Sequence, residues 1–441
     1  MKKWLASSLM VVMIVMLLAA CGGNSEKSSN GNTENGNAKV KLSLWHKFSG
    51  DDARAKAMRG IIEQFKQDNP NIDLEVQPIP PDGYATRIKT AAAANELPNI
   101  FILPPGTMTK ELVNGKLIQP IDDLLSANEE WEKGFLEGSF TDFTVNGGIY
   151  SAPLGISPTS FLFYNKSIFD KYSLTVPKTW DELLNAIKIF NDNKITPIAL
   201  GNKAAWPAQS SMFSSLADRV TGTEWLLNAA AQKDAKFTDP QFVQALTYVQ
   251  DLGNAGAFQK GFNSIDVTQM EQMFAQGQAA MMIDGSWALP YLAETATKEV
   301  LDSMEVTVLP TVPGGEGSAE ALAGVVGDGL AVNINASGAV KEAAYKLILA
   351  LSGPEAQKTT LNASQLVSYN INPDESKVSS LFIKAHQLLK EVKLTPVYDI
   401  ALTSSAADVV NNGLQEVLLG GKPADIAKKI QDAQARALLN Q

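Results

Sequence analysis

The chain has 441 residues, 45% hydrophobic and 19% charged, with a formal net charge of -10 at pH 7. So acidic a balance argues against nucleic acid as a partner and offers no polybasic patch to anionic lipid. Cys21 is the single cysteine, which excludes a disulfide framework, and the roughly 400 residues after it can bury a large core without one, in two domains.

Lys2 and Lys3 precede a charge-free stretch, residues 4–20, that is too short for a stable membrane span and has the layout of a signal peptide. Leu18-Ala19-Ala20-Cys21 resembles a bacterial lipoprotein cleavage box, in which the cysteine thiol is acylated and becomes the new N-terminus. On that reading residues 1–20 are removed and the net charge becomes more negative by the two lysines. Acyl chains bury about 0.8 kcal/mol per CH2, so Cys21 holds the protein on a lipid bilayer and is an anchor rather than a nucleophile. An ordinary secreted chain with a cysteine near its cleavage site is the alternative. Residues 21–38 then form the lipid-anchored tether: "GGNSEKSSNGNTENGN" has no large apolar residue and an r.m.s. reach of about 20 to 25 Å. No later apolar segment is long enough to cross a membrane.

In the body, "VKLSLW" (40–45) predicts a strand, followed by a helix that carries Met58, Ile61, Ile62 and Phe65 on one face and stops before Pro70. "IDLEVQPI" predicts a strand, "YATRIKTAAAANE" a helix, and "NIFIL" (99–103) a third strand. This β-α-β-α-β order indicates an α/β fold with a doubly wound sheet, whose ligands bind at the carboxyl ends of the strands. A second unit starts after "NGGIYSAPLG". Thr179-Trp180-Asp181-Glu182 forms a capping box opening a helix through Phe190, and the strand-like "ITPIAL" follows. Asp239-Pro240 opens a helix with Phe242, Leu246 and Val249 on one face, and the strand "AAMMI" (279–283) runs into "DGSW". Strand "GLAVNI" (329–334) and helix "AVKEAAYKLILALSG" look like the first unit resumed, and the stretch from about residue 369 reads as mostly helical.

Motifs for covalent or metal chemistry are missing. His46 and His386 are 340 positions apart without spaced cysteine or histidine companions, which argues against a structural zinc site. "GVVGDG" (324–329) is neither a dinucleotide nor a phosphate loop, so no cofactor is expected. "GISPT" (155–159) lacks the last glycine of a nucleophile elbow, and no Ser/His/Asp set stands out. Among 47 acidic residues a glycoside-cleaving carboxylate pair stays open, although most acids sit on solvated surfaces. The reading is of a protein that is not an enzyme.

"GGIYSAPLGISPTSFLFYNKSIFDKYSLTVPKTWDELLNAIKIFNDNKITPIAL" (147–200) resembles the signature region of the extracellular solute-binding proteins of carbohydrate ABC importers, the group that contains the maltodextrin-binding protein. "FAQGQAAMMIDGSWALP", "VTVLPTVPGG" and "KEAAYKLILALSGPEAQ" extend the resemblance over almost the whole chain. It implies a two-lobed periplasmic-binding-protein-like fold, each lobe a sheet flanked by helices, joined by several crossovers. The first lobe would hold 39–152 and 310–368, the second 153–309 and 369–441. The lobes would close on a carbohydrate and present it to the membrane subunits of an ABC permease. Tyr164, Asn165 and Trp180 would be packing and capping residues.

A pyranose offers an apolar C–H face and a rim of hydroxyls, so its site needs flat aromatic walls and fixed polar groups. Trp45 closes the first strand, followed by His46 and by Asp51 in the same loop; these resemble first-lobe ligand-loop positions, with core packing for Trp45 and helix capping for Asp51 as alternatives. Trp206 lies in the loop "GNKAAWPAQS" directly after a strand, poorly placed for a helical core stripe. Trp287 follows the 279–283 strand at a helix start, and its place in "GSW" matches a family position that stacks against sugar. Asp328, between two glycines, and Asp284, before Gly285, could approach ligand or stabilise turns. Tyr398 and Asp399 in "LTPVYDIA" resemble a C-terminal ligand loop. Trp131 and Trp225 fall in helical regions and read as packing. One departure is "LPNIFIL", where relatives carry a Pro-Asp pair.

Several tryptophans favour a mono- to short oligosaccharide, with the particular sugar left open. The expected role is capture by a monomer at the outer face of the cytoplasmic membrane. A cell envelope without an outer membrane would lose a freely diffusing receptor, so the anchor suggests a Gram-positive importer. A sugar-sensing lipoprotein and a secreted glycan hydrolase are the alternatives.

Overall fold

The computed structural model describes residues 39–50, 53–136 and 138–439. The leader, the tether, Cys21 and Asp51 lie outside the described residues. In the first lobe, β1 (Val40–His46) buries Leu42, Leu44 and His46 at period two. The following α1 (Ala53–Asp68) buries Met58, Ile62 and Phe65 along one stripe, with Ile61 packed at its edge, and ends two residues before Pro70. Next, β2 (Ile72–Pro78) pairs in parallel with β1 from Val40↔Ile72 to His46↔Pro78. The helix α2 (Pro81–Ala94) closes on Asn95 in the left-handed region at φ 57°, and β3 (Ile100–Leu103) is buried at every position.

The sheet runs β2-β1-β3, then the antiparallel strand Gly329–Asn333, then Ile118–Gln119. Strand Gly329–Asn333 starts opposite Leu103, the carboxyl end of β3. Asp328 therefore enters the sheet beside the carboxyl ends of β1 and β3, where a crossover delivers it from the other half of the molecule. Helix Gly338–Ser352 covers this sheet through Ala344, Leu347, Ile348 and Leu351.

The second lobe has the sheet order Thr196–Ala199, Ala279–Asp284, Phe161–Asn165, Met304–Thr307. Its first two strands are parallel, so the loops after Ala199 and Asp284 leave from the same end of the sheet. The capping box is formed: Glu182 N donates to Thr179 Oγ1 at 3.3 Å, and Thr179 N donates to Glu182 Oε2 at 3.2 Å, opening helix Trp180–Asp192. Asn165 Oδ1 accepts from Ile168 N at 3.2 Å, while Trp180 is buried against Tyr248, so both serve capping and packing. Trp131 is buried and donates to Ser352 O, and Trp225 stacks on Phe242.

A third sheet, Lys393–Thr395, Ala321–Val326 and Ile156–Pro158, is built from crossover and C-terminal segments. This changes the expected assignment of 310–368. Leu330 through Leu351 pack in the first-lobe core, whereas Val312 joins the core of Phe213 and Phe242. Leu322, Leu361, Leu366 and Val367 join a further cluster with Phe274, Leu381 and Phe382. The reason is pairing: Ala321–Val326 finds its strand partners in Ile156–Pro158 and Lys393–Thr395 rather than in the first sheet. Arg219, 2% exposed, locks the same crossover by donating to the carbonyls of Leu309 (3.0 Å), Ser318 (3.1 Å) and Ala321 (2.8 Å). No helix among the described residues is long and apolar enough to cross a membrane.

Candidate ligand-binding cleft

Two loops bring Trp206 and Trp287 together from positions 81 residues apart in sequence, because the parallel strands that precede them end side by side. Their rings meet edge to face with centroids 5.6 Å apart, and both are half-buried, leaving aromatic surface open. The Trp206 loop is fixed before any ligand arrives. Asn202, fully buried, accepts from Ala208 N at 3.0 Å and donates to Asn263, while Gln415 Nε2 donates to the Asn202 carbonyl at 2.7 Å. Trp287 is the cap residue of helix Ala288–Thr295, at the helix start expected from sequence.

Trp287 lines a cleft of about 660 Å³ whose other walls include Arg54 of α1, Glu271, Tyr291, Asn362 and Lys377. The cleft therefore spans the first lobe, through Arg54, and the second lobe, through Trp287. Beside it, Asp328 accepts from Lys47 Nζ at 2.6 Å and lies 3.8 Å from Arg54 Nη2. Asp328 is thus a crossover carboxylate held by two first-lobe cations. Arg59 ties the loop between them by donating to the carbonyls of Phe48 (2.8 Å) and Gly50 (2.6 Å).

The remaining expected positions are distributed differently. Trp45 is half-buried on the first-lobe core, with the Arg87 guanidinium 4.8 Å from its ring centre, so one face is already covered. His46 is buried: its Nδ1 accepts from Phe48 N at 3.1 Å and its ring stacks on Phe48. Burial, with the Arg59 charge, pulls the imidazole down to about 4, so it is neutral and shapes the loop instead of reaching outward. Tyr398 is corrected from contact to core: it has no exposed surface and packs on Phe213 and Phe242, because the short helix Tyr398–Ala401 turns its ring inward. Asp399, in the same first turn, is exposed. Asp284 also has no exposed surface; its Oδ1 accepts from Gly285 N at 2.8 Å, which makes it a support beneath Trp287 and not a wall of the cleft.

Glu271, Arg54 and Lys47 were not singled out from the sequence. Glu271 had a readable signal: Met270, Phe274 and Ala275 on the same short helix are buried, and an acid on such a stripe is a buried acid. A larger cavity, about 940 Å³, is lined by Asp142, Val326, Tyr369, His386, Thr395 and Ile400 among others, with no tryptophan in its wall. No group of residues suited to a metal ion occurs among the described residues.

Fold and cleft together define a two-lobed α/β binding protein. The chain belongs to the bacterial extracellular solute-binding protein family, whose sequence model matches residues 50–358. Among curated relatives, the multiple sugar-binding protein of Streptococcus mutans is 26% identical over 282 residues, which is 59% of this chain and 60% of the relative. The match thus spans about three-fifths of that relative's length. A protein solved in work on xylan utilization by the thermophilic bacterium Caldanaerobius polysaccharolyticus is 30% identical, with a TM-score of 0.79 over 89% of this chain and 99% of that one. A chitin oligosaccharide binding protein shares the fold at 24% identity, with a TM-score of 0.80 over 90% of this chain and 99% of that one.

Proposed function

We propose that this protein is the solute-capturing subunit of a carbohydrate ABC importer, binding a mono- or oligosaccharide between its lobes and delivering it to the membrane permease. The observation that carries the reading is the Trp206–Trp287 ring pair, of which Trp287 lines a cleft that includes residues of both lobes. Aromatic faces suit the C–H face of a pyranose, and Lys47, Arg54 and Asp328 supply charged hydrogen-bonding groups for its rim. The names of the relatives, a multiple sugar-binding protein and a chitin oligosaccharide binding protein, point the same way. Closure follows from differential affinity: a sugar that touches both lobes stabilises the closed state over the open one. The ligand contacts proposed are Trp206 and Trp287 with Asp328, and then Trp45, Asp51 and Asp399 as further contacts, while His46 and Asp284 act through the loops they hold. The lipid anchor at Cys21 rests on the leader alone, as does placement at the outer face of a Gram-positive cytoplasmic membrane.

One observation bears on the hydrolase alternative. Glu271, in the cleft wall, and Asp284, beneath Trp287, are buried acids on a helix and on the strand it packs against. Glycoside cleavage needs two carboxyls about 5 to 9.5 Å apart on either side of the scissile bond, and Asp284, with no exposed surface, does not reach a bound sugar. Incubation with a glycan panel, read by native mass spectrometry and product analysis, tests the proposal: a stoichiometric complex without cleavage products is expected, and turnover products would overturn it.

A further inference from the structure

Below Trp287 lies a group of polar atoms that sugar binding by itself does not require. Asp284 is wholly buried and Glu271 is 5% exposed. One Asp284 oxygen accepts from Gly285 N at 2.8 Å; the other, Oδ2, is buried with no donor if both acids are ionised. The Trp287 indole Nε1, three residues on from Asp284, is likewise buried without a hydrogen-bond partner. The helix that carries Glu271 packs against the strand that ends in Asp284, and a buried, donorless carboxylate oxygen beside a second buried carboxyl is satisfied by a proton on that second carboxyl.

We propose that Glu271 and Asp284 share one proton, Glu271 donating to Asp284 Oδ2, and that this pair positions the Trp287 indole in the cleft. This rests on the reading of Trp287 as a sugar contact. Burial, then the neighbouring Asp284 charge, push the Glu271 carboxyl far above the ordinary carboxylate range, so the proton stays at neutral pH. The Asp284 carboxylate then accepts from Glu271 and Gly285 and presents a negative atom to the indole N–H. Trp287 also rests directly on the Gly285 backbone: a Cβ on Gly285 would lie 2.2 Å from Trp287 Cζ3. The ring is thus held from below by Gly285 and at its N–H edge by the pair. Loss of the shared proton would place two negative charges in one buried site and drive the acids apart, which loosens the indole.

Other charged and titratable groups also face this place. Asp266 lies at the start of the Glu271 helix, and its charge pushes the Glu271 pKa up further. Tyr291 and Glu294 come from helix Ala288–Thr295, and Arg54 and Lys377 from the remaining cleft walls. The strand Thr196–Ala199, against which the Glu271 helix also packs, contributes no ionisable side chain.

The test follows the 15N-labelled indole N–H of Trp287 in the intact chain from about pH 6 to about pH 10 without sugar, assigned with Trp287→Phe, in wild type and Glu271→Gln. The glutamine amide supplies the same donor without a titrating proton. Wild type should show a one-proton step above neutrality; Glu271→Gln should show the low-pH indole shift throughout, with no step. Affinity for whichever glycan of the panel binds should then fall about ten-fold per pH unit above the step in wild type, and stay within about two-fold in the variant. An indole shift that stays flat in wild type, or a step with the same midpoint in Glu271→Gln, would overturn the proposal. Because the indole is read without sugar, a panel that yields no binder refutes the sugar reading while the step still judges the pair.

Discussion

Gly285→Ala should cost ligand affinity far more than it costs the fold. The added Cβ would sit 2.2 Å from Cζ3, 2.3 Å from Cη2 and 2.5 Å from Cε3 of Trp287. Non-bonded carbons settle at about 3.5 to 4 Å, so the ring must recede by more than about 1 Å. Trp287 is half-buried and borders the cleft, so it can swing into open space, leaving its edge-to-face contact with Trp206. That contact is worth about 0.5 to 1.5 kcal/mol, which sets the scale of the stability loss. A central tryptophan contact with ligand is worth about 2 kcal/mol or more, equivalent to about a 30-fold rise in Kd. Isothermal titration calorimetry with a glycan that binds wild type reads the affinity, and near-UV circular dichroism reads the tryptophan environment. Gly60→Ala is the control, since it makes the same chemical change inside α1, where a Cβ meets nothing within 4 Å. That substitution should be neutral or stabilising by about 0.5 to 1 kcal/mol. A Gly285→Ala protein with Kd within about two-fold of wild type and an unchanged near-UV spectrum would refute the placement of Trp287 as a ring resting on Gly285 and bearing on ligand.

Two further outcomes follow from buried charge. Arg219→Met removes the donors of three crossover carbonyls and should destabilise by about 3 to 5 kcal/mol, seen as a lower urea midpoint with secondary structure retained in buffer; a midpoint equal to wild type would refute the pinning role. The second outcome concerns Glu271, whose pKa in the folded protein is raised above its unfolded value by burial and by the neighbouring Asp284 charge. Between the two, the native state holds a proton that the unfolded chain has lost, so stability is fully present below the unfolded value and is lost as pH rises toward the folded one. Relative to Glu271→Gln, wild type should therefore lose about 1.4 kcal/mol per pH unit from about pH 5 upward through neutrality, in urea titrations at stepped pH. A parallel pH dependence in the two proteins would contradict a raised Glu271.

What could be read from the sequence was what local pattern determines. Period-two burial marked β1, the 3.6-residue stripe of Met58, Ile62 and Phe65 marked α1, and Thr179 with Glu182 marked a helix start down to its hydrogen bonds. Trp206 and Trp287 were legible as loop residues after strands, and strand order explains why they meet. The third sheet was not legible. Ile156–Pro158 and Lys393–Thr395 are three residues each, too short for a period, and their partner is far away in the chain. The inward turn of Tyr398 is likewise set by tertiary packing on Phe213 and Phe242, which no local rule supplies. Glu271 and Asp284 lie 13 positions apart on a helix and the next strand, and only their packing makes one site of two acids.

The most direct measurement is calorimetric titration of a carbohydrate panel into wild type and into the Trp206→Ala, Trp287→Ala double variant, with folding of both followed by circular dichroism. Wild type should bind a mono- or oligosaccharide stoichiometrically, and the double variant, still folded, should lose that binding by about 100-fold or more. A folded double variant that binds the same sugar with unchanged affinity would contradict the assignment of the tryptophan cleft as the capture site.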